Sequence, residues 1–177
     1  MRADARRNRS AVLDAGARLL AERPTASMQE IADASGVGRT TVYRHFPARE
    51  DLIGALVRQV ADEIGEVTDA IMTMDATCEE ALRRFASDIT ALGRRWRFLQ
   101  SQREDLLAQI RDVDERFLAW VEAHQRDGAL RRDLPSSWIV ANVRAMLSAA
   151  GDEADAIGAD EAGRLCGETI VSAFVRR

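Results

Sequence analysis

The stretch GVGRTTVYRHFPARED, residues 36–51, decides how the chain is read. From Arg39 onward it has helical composition, yet only Val42 and Phe46 are large and wholly apolar. They stand four residues apart and so share one helix face. The rest of that helix carries hydrogen-bond donors: Arg39, Thr40, Thr41, Tyr43, Arg44 and His45. Pro47 ends the helix by Phe46, because a residue before proline leaves the helical region. Upstream, Ser27 and Glu30 have the spacing of a capping box, which predicts a helix over 27–34. Ser35-Gly36 stops it. Two short helices joined by a glycine-containing turn over 35–38, with the second over 39–46, make a helix-turn-helix.

Outward from this unit, apolar periodicity stays near 3.6 residues throughout. Val12, Ala15, Gly16, Leu19 and Leu20 form one face of a first helix, ended by Pro24. Ile53, Leu56, Val57, Val60, Ile64, Val67 and Ile71 form the stripe of a long fourth helix from about Ala48 to Met72. Thr77 and Glu80 make a second capping box and open a helix with Leu82, Phe85, Ile89 and Leu92. Residues 96–125 stay helical with one break, near Ser101–Arg103 or at Arg111. Gly128 closes that segment. Pro135 falls in the first turn of a helix expected to run to about Ala150. GDEADAIGAD, residues 151–160, reads as a polar loop, and a last helix spans roughly Asp160 to Val175. No strand-like alternation and no repeat occurs. The expected fold is all-α, with about nine helices: a three-helix head over residues 1–47, joined by the long fourth helix to a bundle over 48–177.

Composition narrows the function. Apolar residues make up 46% and charged residues 31% of 177, an ordinary globular balance. All 25 basic residues are arginine, which reflects codon bias more than chemistry. Two cysteines make no disulfide framework and no paired zinc motif. There is no secretory leader and no apolar run near the ~20 residues of a membrane span, so a cytoplasmic protein with no membrane partner is expected. The net charge of −4 hides an asymmetry. Residues 1–50 hold nine arginines against six acids, and residues 51–177 hold sixteen against twenty-three. A basic head on an acidic body suits a head that meets phosphate.

In a helix-turn-helix the second helix enters the major groove by its N-terminal residues. Arg39 can bond guanine in a bidentate way, and Thr40 and Thr41 offer a hydroxyl or a methyl to base edges. Tyr43 and His45 can reach phosphate oxygens. Arg49, in the first turn of the next helix, opposes the helix dipole unless an anion arrives there. A solvated helical hairpin without DNA is the competing reading. Arg2, Arg6, Arg7 and Arg9 either reach a neighbouring minor groove or phosphates, or form a disordered basic tail.

The run Thr41-Val42-Tyr43-Arg44-His45-Phe46, followed by Arg49, Glu50 and Leu52 and preceded by IADASGV (31–37), resembles the signature of the tetracycline-repressor (TetR) family. The resemblance covers about the first 55 residues. Gly38 departs from the serine, threonine or alanine usual there. Membership implies a helical homodimer that represses transcription from a double-stranded DNA operator, and a C-terminal ligand-binding and dimerisation domain that takes a small-molecule effector. It also implies a DNA-contacting set of Gln29, Arg39, Thr40, Thr41, Tyr43, His45 and Arg49.

The body carries no motif of its own. Its aromatic residues concentrate in Trp96, Phe98, Phe117 and Trp120, which together with Phe85, Leu99 and Met146 are the candidate lining of a largely apolar effector pocket with polar groups such as Gln100, Gln102 or Arg103. The alternative is that these residues are simply core. Ile139, Val143 and Leu147, with Leu165, Ile170 and Phe174, form wide apolar stripes on the last two helices and are the candidate dimer interface. Cys78, in a capped first turn, is either a redox-sensitive thiol or inert. His124 has no second ligand near it, so no metal site is expected. No cofactor motif and no nucleophile–base grouping point to an enzyme. An enzyme or interaction module that keeps a helix-turn-helix as scaffold is the alternative function.

Overall fold

The structure is a computed structural model that describes residues 2–95 and 102–176. Among the described residues it contains nine helices: α1 (Arg2–Glu22), α2 (Met28–Ser35), α3 (Arg39–His45), α4 (Arg49–Met72), α5 (Cys78–Arg95), α6 (Arg103–Gln109), α7 (Arg111–Asp127), α8 (Ser136–Ile157) and α9 (Ala159–Phe174). None is long and apolar enough to cross a membrane. The chain divides into two compact units, Met1–Val60 with Arg95–Leu106, and Ala61–Arg94 with Leu107–Arg177. The division falls inside α4, later than the expected boundary at residue 47. The reason is that the first turns of α4 complete the head: Leu52 and Leu56 are fully buried. A methyl group on Gly16 would stand 3.4 Å from Leu52 Cδ2.

In the first unit α1 packs on α2 and α3. Val12, Leu20, Ile31, Val42 and Phe46 form its core, each 2% exposed or less. Ser27 caps α2 in extended conformation, with its Oγ accepting from Glu30 N at 3.3 Å. Glu30 Oε2 accepts in return from Ser27 N at 2.7 Å, which closes the box. Gly36 ends α2 at φ 68°, a left-handed conformation that glycine adopts without a Cβ clash. The arginines ahead of the first apolar face lie on α1 itself, which is helical from Arg2, so the basic tail is helical.

The second unit is built around Ile71, Leu82, Phe85, Phe117, Val121, Leu130, Ile139, Val143, Ile170 and Phe174. Thr77 and Glu80 cap α5 reciprocally, at 2.9 Å and 3.2 Å. Among the described residues of 96–125 the helix breaks at Ile110, where ψ turns to 14° and α7 starts afresh, and Ser101 of the other expected position lies outside the described residues. Pro135 precedes α8 as its cap, one position outside the first turn.

Residues 151–157 are helix, where a loop over 151–160 was expected. Ala150 and Ala154 continue the buried face of α8. Gly151 lies where α8 meets α5, its Cα 4.0 Å from where a Gly93 Cβ would be. Only Gly158, at φ 90°, separates α8 from α9. The two helices pack extensively on each other. Gly163 and Gly167, one turn apart on α9, let its backbone press on α5. A Cβ on Gly163 would lie 2.9 Å from Ser87 Cα, and one on Gly167 3.1 Å from Arg83 Cα. The chain end is held by a short antiparallel bridge between Leu130 and Val175. Arg131 N donates to Phe174 O at 2.9 Å and Arg176 N to Ala129 O at 3.0 Å.

Candidate nucleic-acid interface

α3 spans seven residues, roughly 10 Å at 1.5 Å per residue, enough to lie across one major groove. Val42 is fully buried and Phe46 nearly so, which fastens one side of the helix to the head. Arg39, Thr40, Tyr43 and Arg44 are exposed on the other side, and Thr41 and His45 are half-buried. Gly38 caps the helix through its backbone alone, so the first-turn N–H groups meet no side chain. The Arg39 guanidinium lies over the Tyr43 ring, 5.7 Å from its centroid. Such stacking pre-orients the side chain and leaves its edge free for a planar acceptor pair.

The expected set is thus only partly gathered on one free surface. Gln29 is turned inward: its Nε2 donates to Asp33 Oδ1 at 2.8 Å and its Oε1 is enclosed without a partner. His45 Nε2 is likewise enclosed and unpartnered, so only its Nδ1 side remains for a phosphate. Arg49, expected to await a phosphate, has its guanidinium engaged by the chain. Its Nη2 donates to Pro24 O at 2.6 Å and its Nη1 to Ala26 O. Two further cations come forward. Arg44 is exposed and has no acidic partner among the described residues. Arg9 stacks its guanidinium 5.4 Å from the centroid of Phe46. The Arg44 signal was present in the sequence, as the second arginine of the recognition helix. The Arg9 contact joins residues 37 apart and needed the fold.

The expected effector lining is also only partly assembled. Phe85 stacks on Phe117 at 5.0 Å between centroids, Phe117 on Trp120 at 5.8 Å, and Trp120 on His124 at 4.0 Å. Phe85 and Phe117 are buried core residues, and Trp120 and Met146 are half-buried against the same core. Trp96, Phe98, Leu99 and Gln100 lie outside the described residues. Beside the stack, Arg144 Nη1 donates to Asp114 Oδ2 at 3.0 Å. Burial pushes the Asp114 carboxyl above its ordinary value, against the pull of Arg144. An open depression of about 500 Å³ is lined by the polar residues Glu122, Gln125, Arg126, Arg132 and Ser136. Its groups brace the turn after α7, with Gln125 Nε2 donating to Arg131 O and Leu134 O at 2.6 Å and 2.8 Å.

Of the expected interface residues, Ile139, Val143, Ile170 and Phe174 belong to the chain's own core, each 4% exposed or less, and Leu147 packs against that core. They serve α8–α9 packing within one chain. Leu165 is exposed. The outward face of α8 instead carries Trp138, Ala141, Ala145 and Ala149. Both cysteines are buried, and burial drives the Cys78 thiol up to about 12 and the Cys166 thiol to about 11. A neutral, enclosed Cys78 is no thiolate, whatever its place at a helix start. No group of three or more metal-ligating side chains occurs among the described residues.

A basic recognition helix locked onto a small helical head, in a chain that carries a second, larger helical unit, defines a helix-turn-helix transcription regulator. Residues 12–56 match the model of the bacterial regulatory proteins of the tetR family. The HTH-type transcriptional repressor LfrR of Mycolicibacterium smegmatis is 36% identical over 136 residues, covering 75% of this chain and 71% of LfrR. The crystal structure of LfrR in complex with proflavine superposes with a TM-score of 0.77 at 30% identity, over 97% of this chain and 98% of that one. The ketosteroid transcriptional regulator KstR2 of Mycobacterium tuberculosis shares the fold, with a TM-score of 0.74 at 16% identity over 96% and 95% of the two chains. The chain belongs to the tetR family of bacterial regulatory proteins.

Proposed function

We propose that the protein is a ligand-responsive repressor that binds an inverted-repeat operator as a homodimer and leaves it when a small, largely apolar effector binds. The observation that carries this reading is the exposed face of α3, where Arg39, Thr40, Tyr43 and Arg44 project from a helix anchored by Val42 and Phe46. Arg39 and Thr40, at the front of that helix, read bases. Thr41, Tyr43, Arg44 and the free side of His45 hold phosphates. Gln29 supports the turn, through its bond to Asp33.

The outward face of α8 supports dimerisation. Trp138 is 58% exposed, and one turn after another it is followed by exposed Ala141, Ala145 and Ala149. Leu165 of α9 is 40% exposed. An apolar, small-residue face of this kind suits close packing against its own two-fold copy. The effector site uses Trp120 and Met146 at the edge of the Phe85–Phe117 stack. Because LfrR has been solved with proflavine, proflavine is the first effector to test.

The deciding experiment is a salt titration of binding to a duplex from the protein's own upstream region, against an unrelated duplex. Affinity that falls steeply with salt and favours the upstream duplex supports the reading. Equal, salt-insensitive binding to both removes it. Proflavine or a similar aromatic compound should quench tryptophan fluorescence and weaken operator binding. Quenching without loss of DNA affinity would leave a pocket that is no switch.

A further inference from the structure

Arg49 opens α4, where a cation stands against the positive end of the helix dipole. The structure supplies compensating partial negative charge from two backbone carbonyls of the chain. Pro24 O and Ala26 O both accept from the two Nη groups of its guanidinium, at 2.6 Å for Pro24. Both carbonyls belong to the connection between α1 and α2, outside any helix, where a backbone acceptor otherwise has only water to bond. The other side of the same connection is held by Glu30, whose carboxylate accepts from Arg23 Nη1 and from Ser27 N at 2.7 Å each. One turn into α4, Leu52 is fully buried beside Gly16 of α1.

We infer that Arg49 is a positioning residue: its fork clasps the α1–α2 connection to the first turn of α4 and so fixes the attitude of the helix-turn-helix, in place of serving as a phosphate ligand. Two carbonyls met by one planar group require the arginine fork, which a lysine ammonium does not reproduce. The consequence is selective. Base readout needs every contact of α3 in register, whereas binding to arbitrary DNA needs only charge near phosphates. Loss of the clasp therefore costs sequence discrimination and spares non-specific affinity. This rests on the DNA-binding reading of α3, but the clasp itself exists without DNA and is tested separately.

The experiment compares wild-type full-length protein with Arg49→Ala and Arg49→Lys on the upstream duplex and an unrelated one, across a salt series. Both variants should lose about tenfold in affinity for the upstream duplex, the scale of one charge-assisted hydrogen bond. Affinity for the unrelated duplex and the salt slope should stay as in wild type. In the DNA-free protein, nitrogen NMR should show a hindered, slowly exchanging Arg49 guanidinium. If Arg49→Lys restores wild-type binding while Arg49→Ala lowers the salt slope by about one on both duplexes, Arg49 is a phosphate ligand and the inference falls. A freely rotating Arg49 guanidinium in the DNA-free protein overturns it equally. Should Arg49→Ala melt the head, Arg49→Lys carries the comparison. Should wild type show no preference for the upstream duplex, the DNA reading fails and the NMR measurement alone decides the clasp.

Discussion

At the scale of single residues, α3 separates two kinds of contact. Replacing Arg39 by alanine should cost about 1–3 kcal/mol of operator affinity and relax preference at one base pair. Replacing Arg44 should weaken all sequences alike and lower the salt slope by about one. Anisotropy titrations against single-base operator variants check both. Arg39 and Thr40 were legible from the sequence because exposure on a short amphipathic helix follows from where Val42 and Phe46 must go. Gln29 and Arg49 were not, since their partners, a side chain on the same helix and two loop carbonyls, are matters of rotamer and path. Glu30 carries a pH signature. Its bonds to Ser27, with help from Arg23, lower its pKa from 4.5 to about 2. A depressed folded-state pKa means the capping box contributes stability above about pH 4.5 that is lost as pH falls toward 2. Glu30→Gln should flatten that acid limb, read by amide exchange in α2 between pH 5 and 2.

At the scale of elements, helix starts were readable and one helix end was not. Ser27 and Thr77 announce α2 and α5 by their three-residue spacing to glutamate, and both boxes are formed. Gly151 looked like a stop, yet α8 runs through it, because Ala150 and Ala154 carry its buried face onward on either side of the glycine. Gly163 and Gly167 are different, for they stand where the backbones of α9 and α5 meet closely. Alanine at Gly163 would place a methyl 2.9 Å from Ser87 Cα, so α5 and α9 would have to part. The expected loss is about 1–3 kcal/mol, the usual range for overpacking, whereas Gly151→Ala, which meets no neighbour, should be neutral or stabilising. Urea denaturation of the two variants, followed by tryptophan fluorescence, measures the difference.

At the scale of the whole molecule, the apolar stripes on α8 and α9 divide between the chain's own core and its surface. Ile170 is fully buried in the core and Leu165 is exposed. Leu165→Asp should leave a folded chain that sediments as a monomer and has lost operator binding. Ile170→Asp should unfold the body instead, since a buried unpaired charge is costly. Circular dichroism with sedimentation separates the two outcomes. A folded Leu165→Asp dimer would move the interface elsewhere. In the dimer the recognition helices should address half-sites about 34–36 Å apart, one turn of DNA, so inserting half a turn between half-sites should abolish tight binding.

By itself the amino-acid order determined what depends on local periodicity and caps: an all-helical chain, a helix-turn-helix over residues 27–46, and a basic face on its second helix. Those features are set by neighbours three or four residues away, which a linear string displays. The tertiary structure decided what depends on distant partners. It took Ile139, Val143, Ile170 and Phe174 into the chain's own core, left Trp138 and Leu165 outside, carried α8 past Gly151, and turned Arg49 onto carbonyls 23 and 25 residues upstream. An apolar stripe records that a face is buried but not against what, and a guanidinium records a charge but not its acceptor. Both are settled only when the helices meet.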